Sequence, residues 1–87
     1  MSYEIVWDPI AVDVLRKLAR DISKRIVNKV DKEIKENPQR YLERLVGEDV
    51  CKIRIGDYRL FVDLTNEPKK LYIRTIKHRR EAYKKKN

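Results

Sequence analysis

Cys51-Lys52-Ile53-Arg54-Ile55-Gly56-Asp57-Tyr58-Arg59-Leu60 is the stretch whose reading decides the fold. Cys51, Ile53 and Ile55 alternate with Lys52 and Arg54, and a period of two sends the two sets to opposite faces of a strand. Gly56-Asp57 reads as a tight turn, because glycine reaches positive φ cheaply and aspartate bonds its own backbone in turns. Beyond the turn Tyr58, Leu60, Val62 and Leu64 form one set, and Arg59, Phe61 and Asp63 the other. Pairing the two apolar sets over a core leaves Lys52, Arg54 and Arg59 together on the far face. A packed sheet gains nothing from clustering three cations, so this face asks for an anionic partner.

Outward from that hairpin, the rest of the chain reads as one domain. Its 87 residues suffice for a single modest core. The composition is 41% apolar and 41% charged, so the chain buries a core under a heavily solvated surface. There are 22 Lys and Arg against 14 Asp and Glu, a formal charge of +8 that favours nucleic acid or an acidic protein as partner. A basic tail or a thermophilic source explains the same charge, and charge alone does not separate these readings. Cys51 is the single cysteine, which rules out an internal disulfide and suits a reducing compartment. One Cys and one His are too few for a structural zinc site, and no cofactor is expected. No run approaches a membrane span, and Met1-Ser2-Tyr3-Glu4 does not read as a signal peptide, so the expected location is cytoplasmic, away from any membrane.

Tyr3, Ile5 and Trp7 alternate with Glu4 and Val6 as a short first strand. Asp8-Pro9 starts a helix for a physical reason: the carboxylate accepts from exposed backbone N–H groups, and proline has none to leave unsatisfied. Ala11, Val14, Leu15, Leu18 and Ile22 follow at helical spacing, and Ile26, Val30 and Ile34 continue the stripe to Asn37-Pro38. One helix from Pro9 to Glu36 would be about 40 Å long at about 1.5 Å per residue, too long for so small a sheet. A break near Ala19 to Ser23 and a helical hairpin are therefore expected. Gln39 to Val46 is assigned a further helical turn, Thr65-Asn66-Glu67-Pro68 a polar loop, and Leu71 to Ile76 the final strand. Residues 84–87 read as a flexible basic tail. The expected architecture is α+β, in the order β-α-α-β-β-β, with a helical hairpin on one face of a mainly antiparallel sheet.

Arginine grips phosphate bidentately, and neighbouring cations disfavour the charged form of a lysine, which makes Lys52 a candidate general base. On Lys52, Arg54 and Arg59 alone, a solvated sheet face is the simpler reading. Weight is added by His78-Arg79-Arg80-Glu81-Ala82-Tyr83, which brings more cations and an aromatic ring able to stack on a base. Lys77, His78 and Arg80 are candidate RNA-binding residues; Cys51 is assigned to the core with no nucleophilic role. No glycine-rich phosphate loop, magnesium-binding carboxylate pair or serine-histidine-acid set is evident. A ribonuclease built on these residues would be metal-independent, using the substrate's own 2′-hydroxyl as nucleophile.

Lys52-Ile53-Arg54-Ile55-Gly56-Asp57-Tyr58-Arg59-Leu60 and His78-Arg79-Arg80-Glu81-Ala82-Tyr83, with Trp7, Ala11, Leu15 and Leu18 ahead of them, resemble the RelE toxins of the RelE/ParE superfamily. The resemblance implies a toxin of a type II toxin–antitoxin pair that cleaves messenger RNA in the ribosomal A site, inhibits translation and is restrained by a RelB-type antitoxin. It further implies Lys52 as general base, Arg54 as base or electrostatic contributor, Arg59 on the scissile phosphate, Arg79 on phosphate or leaving group, and Tyr83 stacked on the RNA. His78 stands where some members carry lysine. Arg54 does not readily deprotonate, which throws the base role onto Lys52 or a water, and the span from Arg79 to Tyr83 is shorter than in some members. Two rival readings stand beside this one: a ParE-like inhibitor of DNA gyrase, and a non-catalytic RNA- or ribosome-binding module.

Overall fold

The computed structural model describes residues 2–44 and 51–82, with the side chains of Arg44 and Ala82 left aside. A short first strand, β1 (Glu4–Trp7), leads into α1 (Pro9–Lys17) and α2 (Arg20–Lys32). Two 3-10 turns follow, Ile34–Glu36 and Pro38–Tyr41, and then β2 (Leu42–Arg44). The chain continues with β3 (Cys51–Ile55), β4 (Tyr58–Asn66), β5 (Lys69–His78) and a short helix, α3 (Arg79–Ala82). The sheet runs β1-β5-β4-β3-β2. Every neighbouring pair is antiparallel except β1 and β5, the first and last strands, which lie parallel. This is the α+β architecture expected from the sequence.

The helix start is as the residues dictate. Asp8 accepts the backbone N–H of Ile10 at 2.8 Å, with Pro9 in the first turn. The hydroxyl of Tyr72 on β5 donates to the other oxygen of the same carboxylate, tying the β1–α1 junction to the sheet. That bond, the Ile10 N–H and the nearby Arg74 charge hold Asp8 below the usual carboxylate range; accepting from Tyr72 in turn raises the phenol's pKa.

The helical hairpin breaks at Leu18 and Ala19, at the N-terminal edge of the predicted window. Both residues adopt extended ψ angles, 158° and 143°. The hydroxyl of Ser23 donates across the break to the Leu15 carbonyl at 2.5 Å, which also accepts the backbone N–H of Leu18 at 3.3 Å. Ala11, Ile26, Val30 and Ile34 then form one buried cluster with Cys51, Ile53, Ile55, Leu60, Val62, Leu71, Ile73 and Ile76. The helices thus cover one face of the sheet and leave the other open.

Three features differ from the sequence reading. The helical turn expected over Gln39 to Val46 is a 3-10 turn that ends at Tyr41; Leu42–Arg44 is a strand, and the remaining two residues of that span lie outside the described ones. Leu42 stands opposite Ile53 and packs on the core, and its strand pairs with the open edge of β3, satisfying backbone groups that a further turn would leave unpaired. The final strand is longer than Leu71 to Ile76. It takes in Lys69, Lys70, Lys77 and His78, and the polar loop shrinks to a turn at Glu67-Pro68. Finally, the register shifts between Phe61 and Val62, where Phe61 faces Thr75 but Val62 faces Ile73. The extra residue, Arg74, bulges outward, so Ile73 and Ile76, three apart, both reach the core. Gly47-Glu48-Asp49 and the basic tail lie outside the described residues.

Candidate functional site

The open face of the sheet is the candidate site. Strand parity puts Lys52 and Arg54 on it from β3, Arg59, Phe61 and Asp63 from β4, and Thr75 and Lys77 from β5. The register turns the cluster into an ordered row. Arg54 stands directly across from Arg59, and Arg59 directly across from Lys77. Like charges opposite one another on paired strands are destabilising, and here three occur in sequence with no acid between them. The next row holds Lys52, Phe61 and Thr75, with Glu43 of β2 beyond Lys52. Farther along, Asp63 and Arg74 form an exposed ion pair at 3.6 Å.

Burial grades this surface. Arg54 and Lys77 are exposed, but Arg59 between them is only 2% exposed and Lys52 only 7%. The centre of the row is thus a desolvated guanidinium flanked by solvated cations. Arg59 donates from Nη1 to the Tyr58 carbonyl at 3.2 Å.

Beyond the last sheet row lies the β3–β4 turn, where Gly56 has φ of +58°. Asp57 of this turn receives Arg79: the Arg79 backbone N–H donates to the Asp57 carbonyl at 2.7 Å, and its guanidinium lies 4.0 Å from the Asp57 carboxylate. Arg79 is therefore fixed beside the end of the sheet, two positions past the row of Arg54, Arg59 and Lys77. Its side chain stays exposed.

His78 goes elsewhere. It stands opposite Tyr58, a residue of the core-facing set, and the two rings meet edge to face with centroids 5.2 Å apart. Its Nδ1 accepts the Arg80 backbone N–H at 3.3 Å, while its own backbone N–H donates to Glu81 at 3.2 Å. It therefore stabilises the β5–α3 corner on the opposite side of the sheet from Arg59. Arg80 is exposed on α3, and Tyr83 lies outside the described residues. Of the sequence candidates, Lys52, Arg54, Arg59 and Lys77 are brought onto one face, and Arg79 to its end. Alternation places Phe61 on the same face without giving it a role; its cross-strand neighbours, invisible in a linear sequence, are what single it out.

Comparison with known proteins bears on this arrangement. Residues 5–83 match the family of ParE toxins of type II toxin–antitoxin systems. The chain belongs to the ParE toxin family. No curated protein matches its sequence. Among solved structures, the RelBE2 toxin–antitoxin complex of Mycobacterium tuberculosis aligns with a TM-score of 0.82 at 24% identity, covering 90% of this chain and 99% of that one. The RelE–RelB complex of the archaeon Pyrococcus horikoshii aligns at 0.74 and 22% identity, covering 91% and 97%. A mutant of Escherichia coli RelE in the free state aligns at 0.73 and 24%, covering 94% and 88%. At these identities the likeness shows the fold: this ParE-family chain is a type II toxin of the RelE/ParE superfamily with the RelE architecture.

Proposed function

We propose that the toxin is an endoribonuclease that cleaves messenger RNA in the ribosomal A site, stopping translation in the cytoplasm. The observation that carries this reading is the uninterrupted row Arg54, Arg59, Lys77 beside Lys52 on the open face of the sheet. Cleavage by the 2′-hydroxyl requires three services: removal of its proton, neutralisation of charge building on the phosphate, and protonation of the departing 5′ oxygen. A water held by the Lys52 ammonium takes the first role and passes the proton to solvent. Arg54 and Arg59 neutralise the phosphate, the buried Arg59 acting in the less polar setting where a charge counts for most. Arg79, anchored at the end of the sheet, serves the phosphate or the leaving oxygen, and Tyr83 stacks on the RNA. Lys77 and Arg80 hold the flanking backbone. His78, turned to the other face, supports the corner that carries Arg79 and Arg80. These roles need no metal and no organic cofactor.

A RelB-type antitoxin is the proposed partner. The structural relatives include RelE bound to RelB from Pyrococcus horikoshii and from Escherichia coli. A protein of charge +8 with one open cationic face invites an acidic segment, and covering that face would silence it.

The decisive experiment is primer extension on a messenger RNA in a translating extract, comparing the wild-type protein with Arg59→Ala and Arg79→Ala. Codon-phased cuts that require ribosomes, and that vanish in both variants while the fold persists, are expected. Undiminished cutting by both variants would overturn the assignment. The family match favours a second reading, in which the toxin poisons DNA gyrase by protein contact. Inhibition of supercoiling by purified gyrase, with messenger RNA left intact, selects that reading instead.

A further inference from the structure

Phe61 occupies an unusual position. Its side chain points away from the core, in step with Arg59 and Asp63, onto a face otherwise made of charges and hydroxyls. Two ammonium groups approach its ring. Lys52 Nζ lies 5.2 Å from the ring centroid and Lys77 Nζ 5.6 Å. They arrive from opposite sides, Lys52 from its place directly across on β3, and Lys77 diagonally from β5, two residues beyond Thr75. Diagonal neighbours at that offset are within reach of long side chains.

The environment of Lys52 sharpens the point. The residue is 7% exposed, yet among the described residues its ammonium makes no ion pair or hydrogen bond. Glu43 stands in register with it on β2 without closing an ion pair. A desolvated ammonium needs some counter-charge, and the negative face of an aromatic ring supplies one. A leucine here would cover the same surface but offer neither lysine anything.

We infer that Phe61 is a positioning residue of the cationic face: its ring holds the Lys52 and Lys77 ammoniums in place on either side of the Arg59 position, so that a phosphate meets charges already arranged. The inference rests on the ribonuclease reading for its chemistry, but the holding itself is a property of the free protein. Preorganised charges stabilise a transition state without reorganising at the moment of reaction, whereas two unrestrained lysines would have to be gathered in.

The test compares Phe61→Leu with the conservative Phe61→Tyr in two measurements, after thermal melts establish that both fold. In the first, NMR follows the ε-methylene protons of Lys52 and Lys77, assigned with Lys→Arg variants. Ring currents should displace both sets upfield in the wild type and in Phe61→Tyr, and the displacement should vanish in Phe61→Leu. In the second, cleavage on programmed ribosomes should lose about tenfold in kcat with Phe61→Leu, with KM little changed, and recover with Phe61→Tyr. Undisplaced lysine signals in the wild type would overturn the inference, as would Phe61→Leu cutting at the wild-type rate. If the wild type cuts no RNA, the ribonuclease reading falls, and the NMR shifts alone decide whether Phe61 holds the two lysines.

Discussion

On one face of the sheet Ile53, Leu60, Val62, Leu71 and Ile73 share a buried cluster with Ile26 and Val30 of α2; on the other, Arg54, Arg59 and Lys77 stand side by side. The same strands build both faces, so any difference between them lies in what the side chains were selected for. Burying each large aliphatic on the first face stabilises the fold by about 1.5–3 kcal/mol. The like charges on the second face work against folding, so the proposed function, and not the fold, is what accounts for them. Stability and activity should therefore separate cleanly by strand parity.

The sharpest way to break that separation is through the core. Ile53→Ala should destabilise the fold by about 2–5 kcal/mol, read as a lowered denaturant midpoint with unchanged slope. A smaller loss than that of a surface substitution would mean the apolar face is not the source of stability. On the open face, Arg59→Met should reduce RNA cleavage by about a hundredfold or more in a protein that still folds. Loss of both together would show that Arg59 is structural and would blur the two faces into one. At the turn that joins β3 to β4, nothing lies within 4 Å of a Cβ built on Gly56, so Gly56→Ala carries only the strain of its +58° φ. About 1 kcal/mol of destabilisation is expected, with little change in cleavage.

The gentlest test is a titration. Asp8 is held below its ordinary pKa, so its contribution to stability is complete above the usual carboxylate range and is lost as pH falls through the folded value. Tyr72 is shifted the other way, so its contribution is complete below its ordinary value and fades as pH rises through the folded one. Asp8→Asn keeps an oxygen for the helix cap but no charge. Its melting temperature should fall short of the wild type near neutrality, and the gap should close in acid. A gap that stays constant with pH would remove the charge of Asp8 from the account.

The two faces were also unequally legible. Alternation over Cys51–Ile55 and Tyr58 to Leu64 yields the strands, the turn and the cationic side directly, because period two is a local property of sequence. The row Arg54, Arg59, Lys77 is not local: it depends on β5 pairing with β4, and on a strand long enough to include Lys77. Its terminal lysines, Lys69, Lys70 and Lys77, disguise that length by reading as polar ends. β2 is hidden for a similar reason, since three residues with Glu43 and Arg44 among them carry too little pattern to compete with a helical turn. The bulge at Arg74 and the tie from Arg79 to Asp57 have no sequence signal of their own. Both follow from cross-strand register. The helix break followed from size alone, with no glycine or proline to mark it.

The parallel pairing of β1 with β5 has a consequence for synthesis. Glu4 must wait for Lys70, and Trp7 for Ile73, before the sheet can form across its whole width. Contacts that span nearly the entire chain are slow to close and cannot form on a partial one. Arg59 acquires its neighbour Lys77, and Arg79 its anchor at Asp57, through the same late strand. A nascent polypeptide ending before Leu71 therefore carries Lys52, Arg54 and Arg59 without Lys77 beside them or Arg79 at their end.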